Sequence, residues 1–171
     1  MKNTAITTDR LVLRAFRNSD LDDTILIFMD DSIKKTYMLP DFPSSKDAIP
    51  LFEKLKALSN GNEKFVFAIT HSDRVIGFMN EVERKEDSIE VGYVIHPDHQ
   101  NKGYATEALT ALIHHLHRAG FPTVVAGYFE ENPASGRVME KSAMKRISFT
   151  EEIEYRGKTH HCIYYEHRCD A

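Results

Sequence analysis

The sequence predicts an α+β protein with helices on both faces of one mixed, mostly antiparallel sheet of about seven strands, an α/β/α layering. Three strand-like runs, at 64–70, 74–82 and 88–95, are joined by the short polar links HSD and ERKED, which favours antiparallel neighbours. A helical pattern at 103–119 then leads to another strand-like run at 123–129, and such a crossover makes two parallel strands. The 171 residues contain no repeat or linker, so residues 1–171 are expected to form one domain.

The first third of the chain predicts one strand and two helices. The run around Leu11–Leu13 alternates as a strand does, and apolar residues at helical spacing follow Ser19, a suitable N-cap. A second helix is expected at 48–58 with Asp47 as its cap, which would put Pro50 in the first turn, where a missing N–H costs little.

The second half carries the clearest helix of the chain. Ala105, Ala108, Leu109, Leu112, Ile113 and Leu116 form one apolar stripe between 103 and 119, and Gly120 ends it. After the strand at 123–129, Asn132 is a suitable N-cap with Pro133 at the first helical position. The remaining residues are expected to form a hairpin that turns near Gly157.

Composition excludes several classes of function. A net charge of −4 argues against nucleic acid as the main partner, because phosphate neutralisation needs a basic surface. No apolar run approaches the roughly 18 residues that a membrane span needs, and the first ten residues carry no apolar signal segment, so a cytoplasmic protein is expected. Cys162 and Cys169 are then most simply free thiols.

The stretch IEVGYVIHPDHQNKGYATEAL, residues 89–109, ends a strand and starts the long helix through a short polar loop. Helix N-termini bind anions because their N–H groups are unpaired, and Gly103 would let a phosphate approach the backbone closely. Gln100 and Lys102 add a side-chain donor and a charge. Taken alone, Q-x-x-G is equally compatible with a plain strand-to-helix turn; it is neither a Walker loop nor a G-x-G-x-x-G fingerprint.

Five stretches together resemble the GNAT superfamily of acetyl-CoA-dependent acetyltransferases, in particular the branch of ribosomal-protein N-terminal acetyltransferases (RimJ/RimL type). They are TDRLVLRAF, VIGFM, the loop stretch above, AGYFEEN and NPASGRVMEK, and the resemblance spans about residues 8–145. It implies a sheet that splays open between its fourth and fifth strands, here 88–95 and 123–129, with acetyl-CoA in the opening. A homodimer is possible on the same grounds.

The resemblance also implies roles for individual residues. The backbone of Val94 and Ile95 would pair with the pantetheine arm, and one of their N–H groups would stabilise the oxyanion. Asn132 would contact the same arm as well as cap its helix, and Ser135 would reach the thiol sulfur as a general acid. The residues expected to line the pyrophosphate are Gln100, Asn101, Lys102, Gly103, Tyr104, Ala105 and Thr106.

Two departures from the family pattern are visible. Ser142, Ala143 and Met144 replace the usual Leu-Gly-Phe after the Glu-Lys pair, which alters the helix exit. Ala105 stands where many members have a second glycine, an accepted variant in this branch.

The general base is less determined by the sequence. Glu90, Glu81 and Glu83 are candidates, with Glu90 preferred because it shares a strand face with Gly92 and Val94. Each glutamate alone is more simply a structural ion pair or hydrogen-bond acceptor. Deprotonating a lysine at pH 7 costs roughly 4–5 kcal/mol and an α-amine about 1 kcal/mol, so an N-terminal amine needs little help.

Two other chemistries receive little support from the sequence. No His–Cys pairing motif accompanies the cysteines, so a covalent acyl-enzyme is not expected. The spacing of His160, His161, Cys162, His167 and Cys169 fits no zinc pattern, and no metal is predicted. The residues His114, His115 and His117 mostly fall off the apolar stripe and are expected to be solvated.

The sequence therefore predicts an N-acetyltransferase that moves acetyl from acetyl-CoA to a primary amine by direct attack in a ternary complex. The amine substrate is a protein N-terminus or another amine. Two alternatives stay open: an enzyme for a small-molecule amine such as a polyamine, antibiotic or amino-acid derivative, and an acyl-CoA-binding protein with little catalysis. The segment 30–62 is expected to cover the acceptor cleft.

Overall fold

The computed structural model describes residues 4–169, which form one eight-stranded sheet and five α-helices. The strands are β1 Ile6–Thr7, β2 Val12–Arg14, β3 Val66–His71, β4 Arg74–Arg84, β5 Ser88–Ile95, β6 Thr123–Phe129, β7 Lys145–Tyr155 and β8 Lys158–Arg168. The helices are α1 Leu21–Met29, α2 Asp31–Lys34, α3 Ser45–Asn60, α4 Tyr104–Arg118 and α5 Pro133–Lys141. No helix in this part of the chain is long and apolar enough to cross a membrane.

The sheet runs in the order β1-β2-β3-β4-β5-β6-β8-β7, and every neighbouring pair is antiparallel except β5 and β6. This confirms the mixed, mostly antiparallel sheet. The eighth strand is β1, whose two residues pair with Leu13 and Val12. Two residues are too few to show alternation, so β1 could not be predicted from the sequence pattern.

The parallel pair β5–β6 explains the opening in the sheet. Its register covers only residues 88–90 of β5 against 123–125 of β6, although β6 pairs with β8 along its whole length. Beyond Glu90 the two strands therefore diverge, and the edge of β5 from Gly92 to Ile95 faces the gap. The predicted splay between 88–95 and 123–129 is confirmed.

Helices cover both faces of the sheet. The apolar stripe of α4, including the fully buried Leu109 and Leu112, packs with Met139 of α5 on one face. Phe28 of α1 and Phe52 of α3 pack against the opposite face. The stripe read from the sequence of α4 is thus the core of one layer, as its 3.6-residue period requires.

Two helix starts differ from the sequence prediction. Ser19 is not the N-cap of α1, because a 3-10 turn at Asn18–Asp20 precedes the helix and Asp20 takes the N-cap position. The buried Asp20 side chain accepts a hydrogen bond from the backbone N–H of Arg17 at 2.7 Å. Helix α3 begins at Ser45 with Ser44 as N-cap, so Pro50 lies inside the helix instead of in its first turn.

Asp47 has a different partner from the one expected. It accepts a hydrogen bond from the Ser44 hydroxyl at 2.7 Å, so Ser44 and Asp47 bond to each other at the start of α3. A serine followed three residues later by an acidic side chain is a signal for a helix start, and reading it would have placed α3 correctly.

The other predicted ends are confirmed. Gly103 is the N-cap of α4, Gly120 follows its end, and Asn132 and Pro133 open α5. The hairpin turns at Arg156 and Gly157, which have φ of 52° and 71°.

Candidate active site

The backbone of β5 presents one of its two edges to the opening. The N–H of His96 donates to the carbonyl of Ile76 on β4 at 2.8 Å. Because the hydrogen-bonding groups of an antiparallel strand alternate between its two sides, the N–H of Val94 also points to β4, and those of Tyr93 and Ile95 point to the gap. Of the two expected amide donors, the geometry therefore favours Ile95.

A cavity of about 540 Å³ lies at this opening and reaches both faces of the sheet. On the α4 side it is lined by the loop before the helix and by α5. On the other side it is lined by α2 and the residues that follow it. The predicted residues that line it are Val94, Ile95, Gln100, Asn101, Gly103, Tyr104, Ala105, Thr106, Asn132 and Ser135.

The loop before α4 turns into the helix at Gly103. Gly103 has φ of 81°, a conformation that favours glycine. The first helical hydrogen bond runs from the N–H of Glu107 to the carbonyl of Gly103 at 3.0 Å. The N–H groups of Tyr104, Ala105 and Thr106 therefore precede the helical ladder, where unpaired donors and the helix dipole attract negative charge.

Two side chains of the loop donate hydrogen bonds to nearby backbone carbonyls. The Gln100 amide donates to the carbonyl of Ile95 at 2.8 Å and so joins the loop to the end of β5. The Lys102 ammonium donates to the carbonyl of Asp98 at 2.8 Å, and Lys102 is not among the residues that line the cavity. Gln100 and Lys102 thus hold the loop's shape in this structure.

The positive charge at the cavity comes from α5. Arg137 and Lys141 both line it, and sequence reasoning missed them. Their spacing of four residues puts them on one face of a helix, which is the signal that could have revealed them.

Asn132 and Ser135 form one hydrogen-bonded unit at the start of α5. The Asn132 amide donates to Ser135 Oγ at 3.1 Å, and the backbone N–H of Ser135 donates to the carbonyl of Asn132, also at 3.1 Å. Tyr93 of β5 donates its hydroxyl to the carbonyl of Ser135 at 3.1 Å. Because Ser135 Oγ accepts from Asn132, its own proton remains available for donation.

The far end of the cavity is built around Gly92. A Cβ there would lie 3.2 Å from Asn80 Oδ1 and 3.4 Å from the Tyr37 hydroxyl, so the glycine leaves room beside these two side chains. The Tyr37 hydroxyl donates to Asn80 Oδ1, and burial raises the pKa of Tyr37. Tyr37 follows α2, and of the segment 30–62 only residues between 32 and 37 line this cavity.

Glu90 lies on the same face of β5 as Gly92 but does not line the cavity. Two residues along a strand span about 6.6 Å, so a water molecule would be needed between Glu90 and a group beside Gly92. Burial raises the pKa of Glu90, and the nearby carboxylates Glu83 and Glu151 raise it further.

The other two candidate bases have different partners. Glu81 is buried and pairs with Arg84, whose Nε lies 3.0 Å from its carboxylate. Glu83 pairs with Lys85 at 2.9 Å. Glu81 and Glu83 are thus engaged in ion pairs, whereas Glu90 lies on the strand face that carries Gly92.

Within the part of the chain that the structure describes, the cysteines and histidines near the C-terminus do not form a catalytic or metal-binding group. Both cysteines are free thiols, as expected, and burial raises the pKa of Cys162. His160 pairs with Glu131, His161 with Glu152, and His167 with His117. Residues 4–169 contain no cluster of three or more side chains suited to a metal ion.

The expectation that the histidines of α4 are solvated holds only for His114. His117 bonds to the carbonyl of Phe121 at 2.8 Å and to His167 at 2.9 Å. His115 packs edge-on against Phe67, and its Nε2 is buried without a hydrogen-bond partner. The prediction failed because both rings lie at the border of the apolar stripe, where side chains from the sheet reach them.

Known proteins match most of this chain in sequence or in fold. The model of the acetyltransferase (GNAT) domain matches residues 10–145. The uncharacterized N-acetyltransferase YnaD of Bacillus subtilis (strain 168) is 31% identical over 159 residues, covering 89% of each chain.

Solved structures agree in fold. A GNAT-family acetyltransferase from Bacillus anthracis superimposes with a TM-score of 0.83 at 23% identity, covering 96% of this chain and 98% of the other. The ribosomal L7/L12 α-N-protein acetyltransferase RimL, solved in complex with coenzyme A, gives a TM-score of 0.80 at 19% identity, covering 96% and 98%.

The sheet is mixed and opens beside the N-terminus of a helix, and the GNAT domain model matches most of the chain. The protein is therefore an acyltransferase with a GNAT domain. The chain belongs to the GNAT family of acetyl-CoA-dependent N-acetyltransferases. Its cofactor is acetyl-CoA.

Proposed function

We propose that this enzyme transfers acetyl directly from acetyl-CoA to a primary amine in a ternary complex, with a protein N-terminal amine as the first candidate acceptor. One observation carries the proposal. A single cavity connects the amides that open α4 with Tyr37 and Gly92 on the other face of the sheet. A cofactor and an amine entering from opposite faces would meet in it, with no acyl-enzyme needed between them.

The cofactor would lie along the α4 side of this cavity. Its pyrophosphate would meet the N–H groups of Tyr104, Ala105 and Thr106, with Arg137 and Lys141 as cationic neighbours. The pantetheine arm would pair with the free edge of β5, in contact with Asn132 on the other side of the gap. The Ile95 N–H would then stabilise the oxyanion, a contribution of a few kcal/mol for a preorganised donor.

The amine nitrogen would add to the thioester carbon, and the carbonyl π pair would move to the oxygen that the Ile95 N–H faces. Return of that pair would then break the C–S bond, and the bonding pair would leave with sulfur. Ser135 Oγ would donate a hydrogen bond to the departing thiolate. Glu90 would accept the amine proton through a water molecule, and its raised pKa brings it closer to the working pH of a base.

A polycationic amine is the second candidate acceptor. Glu90 lies on the face of the sheet that carries Gly92, where the amine would enter. Glu83 and Glu151 are near enough to raise the pKa of Glu90. A cationic group bound beside these carboxylates would relieve their mutual repulsion. This observation favours a diamine or polyamine over a neutral small molecule.

The test is thiol release from acetyl-CoA with a matched panel of acceptors. The panel contains peptides with free N-termini, the same peptides with a blocked N-terminus and one internal lysine, and a polyamine. Turnover with free N-termini only supports the first candidate, and turnover with the polyamine only replaces it with the second. Acetyl-CoA binding without turnover of any amine would contradict the proposal.

A further inference from the structure

We propose that Arg10 is a positioning residue for the phosphate-binding loop, and that together with Thr8 and Glu107 it holds this loop in its binding conformation. This inference rests on the proposed role of the loop. We name the three residues Thr8, Arg10 and Glu107 the clasp. Thr8 and Arg10 lie in the segment between β1 and β2, far from the loop in sequence.

The clasp is centred on the Glu107 carboxylate in the first turns of α4. Glu107 Oε1 accepts from the Thr8 hydroxyl at 2.6 Å and from the Arg10 backbone N–H at 2.9 Å. Glu107 Oε2 accepts from Arg10 Nε at 2.7 Å. These bonds hold the pKa of Glu107 below its usual value even though burial raises it.

Arg10 also reaches the loop itself. Its Nη1 donates to the carbonyl of Lys102 at 2.9 Å, directly before Gly103. Its guanidinium carbon lies 4.6 Å from the centre of the Tyr104 ring. The planar fork of arginine can bond a carboxylate and a carbonyl at once, so Arg10 couples the loop to the helix that follows it.

Gly103 makes room for this arrangement. A Cβ at Gly103 would lie 3.2 Å from Arg10 Nη2, which is tight for a side-chain contact. Glycine at this position therefore serves two purposes: it leaves space for the Arg10 guanidinium, and it adopts the φ of 81° without strain. Loop conformation and clasp depend on the same residue.

Electrostatics gives the clasp a second effect. A carboxylate near the start of a helix is stabilised by the dipole, but it repels a phosphate bound at the same helix end. The ion pair with Arg10 neutralises Glu107 beside the site. Loss of the Arg10 side chain would release the Lys102 carbonyl and leave the Glu107 carboxylate with its hydrogen bonds to Thr8 and to the backbone but without its cation, and both changes weaken pyrophosphate binding.

The test compares a donor that carries the pyrophosphate with one that lacks it. For Arg10→Ala we expect the Kd of acetyl-CoA to rise at least tenfold, while kcat at saturation and the KM of S-acetyl-pantetheine stay within twofold of wild type. Arg168→Ala is the matched control: it removes an exposed arginine paired with Glu166 at 2.7 Å, and it should change neither constant. If Arg10→Ala weakened the binding of acetyl-CoA and of S-acetyl-pantetheine equally, or weakened neither, the positioning role of Arg10 would be overturned.

Two further variants keep the test decisive if Arg10→Ala folds poorly. Arg10→Lys keeps the charge but cannot bond both partners, so the Kd of acetyl-CoA should still rise at least threefold; wild-type affinity would overturn the role. In the Glu107→Gln background, Arg10→Ala should weaken acetyl-CoA binding less than it does in wild type. An undiminished effect would mean that Arg10 binds phosphate directly.

The wild-type measurement separates this inference from the proposal beneath it. Wild-type protein that does not bind acetyl-CoA would overturn both. Normal binding by wild type and by Arg10→Ala would overturn the clasp alone.

Discussion

At the scale of single residues, Gly103 combines a left-handed backbone conformation with a proposed role in binding the pyrophosphate. Its φ of 81° turns the chain from the loop into α4 and leaves the next three N–H groups at the cavity. Any residue with a Cβ pays a conformational cost of order 1–3 kcal/mol in this region. The same Cβ would press on Arg10, so the effect on binding should exceed the effect on folding.

Gly103→Ala and Gly120→Ala make a matched pair for this claim. Gly120 also has a positive φ, 97°, and a Cβ there would meet nothing within 4 Å. Both variants should lose stability in a thermal melt, and Gly103→Ala should lose slightly more because its Cβ also contacts Arg10. Calorimetric titration should show acetyl-CoA binding weakened at least tenfold in Gly103→Ala only; similar affinities in the two variants would contradict the role of the loop.

Glu90 is the residue on which the proposed proton transfer depends. Glu90→Gln should lower kcat about 100-fold, the lower end of what a general base contributes, with the affinity for acetyl-CoA unchanged. The base acts when deprotonated, so the wild-type rate should fall as pH drops through the pKa of Glu90, which lies above its usual 4.5. A pH profile of kcat with the same acidic step in both proteins would contradict the assignment.

At the scale of elements, the tip of the β7–β8 hairpin holds residues 34–41, which carry Tyr37 on the face where we propose that the amine enters; we call this segment the acceptor wall. The Tyr155 hydroxyl donates to the carbonyl of Lys34 at 2.6 Å and accepts from the N–H of Leu39 at 3.3 Å. Arg156 pairs with Asp41 at 2.6 Å. The segment that carries Tyr37 is thus held from both ends by a hairpin that is distant in sequence.

Tyr155→Phe should loosen this wall. Leaving the backbone groups around Lys34 unpaired costs about 1–3 kcal/mol of stability. The KM of the amine acceptor should rise several-fold while the Kd of acetyl-CoA stays unchanged. Tyr165→Phe removes a hydroxyl that bonds to Glu140 at 2.9 Å, away from α2, and serves as the control. A wild-type KM for the amine in Tyr155→Phe would show that the hairpin does not position the acceptor wall.

The elements also show how far sequence reasoning reaches. The strands at 88–95 and 123–129 and the stripe of α4 were predicted to the residue or nearly so, because each is a periodic run bounded by turn residues. The two-residue β1 and four-residue α2 were missed, because neither is long enough to show a period. Tyr37 belongs to the site only through the fold, and no local pattern marks it.

At the scale of the whole molecule, function follows from one break in the sheet. β6 keeps its pairing with β8 and leaves β5 after three residues, which creates the cavity and frees the amide edge at Ile95. The loop could be predicted from its sequence. The spacing of Arg137 and Lys141 shows that they share one face of α5, but only the packing of α5 shows that this face lines the cavity. The acceptor side is assembled from Tyr37 after α2, Asn80 of β4 and Gly92 of β5, so its chemistry could not be read from any single stretch.

The most direct test of the central claim is the melting temperature of the protein as a function of acetyl-CoA concentration. A ligand at 100 times its Kd stabilises the folded state by about 2.7 kcal/mol. For a chain of this length, that predicts a rise of roughly 5–10 °C. A melting temperature that does not move at millimolar acetyl-CoA would contradict the account of the cavity as a cofactor site.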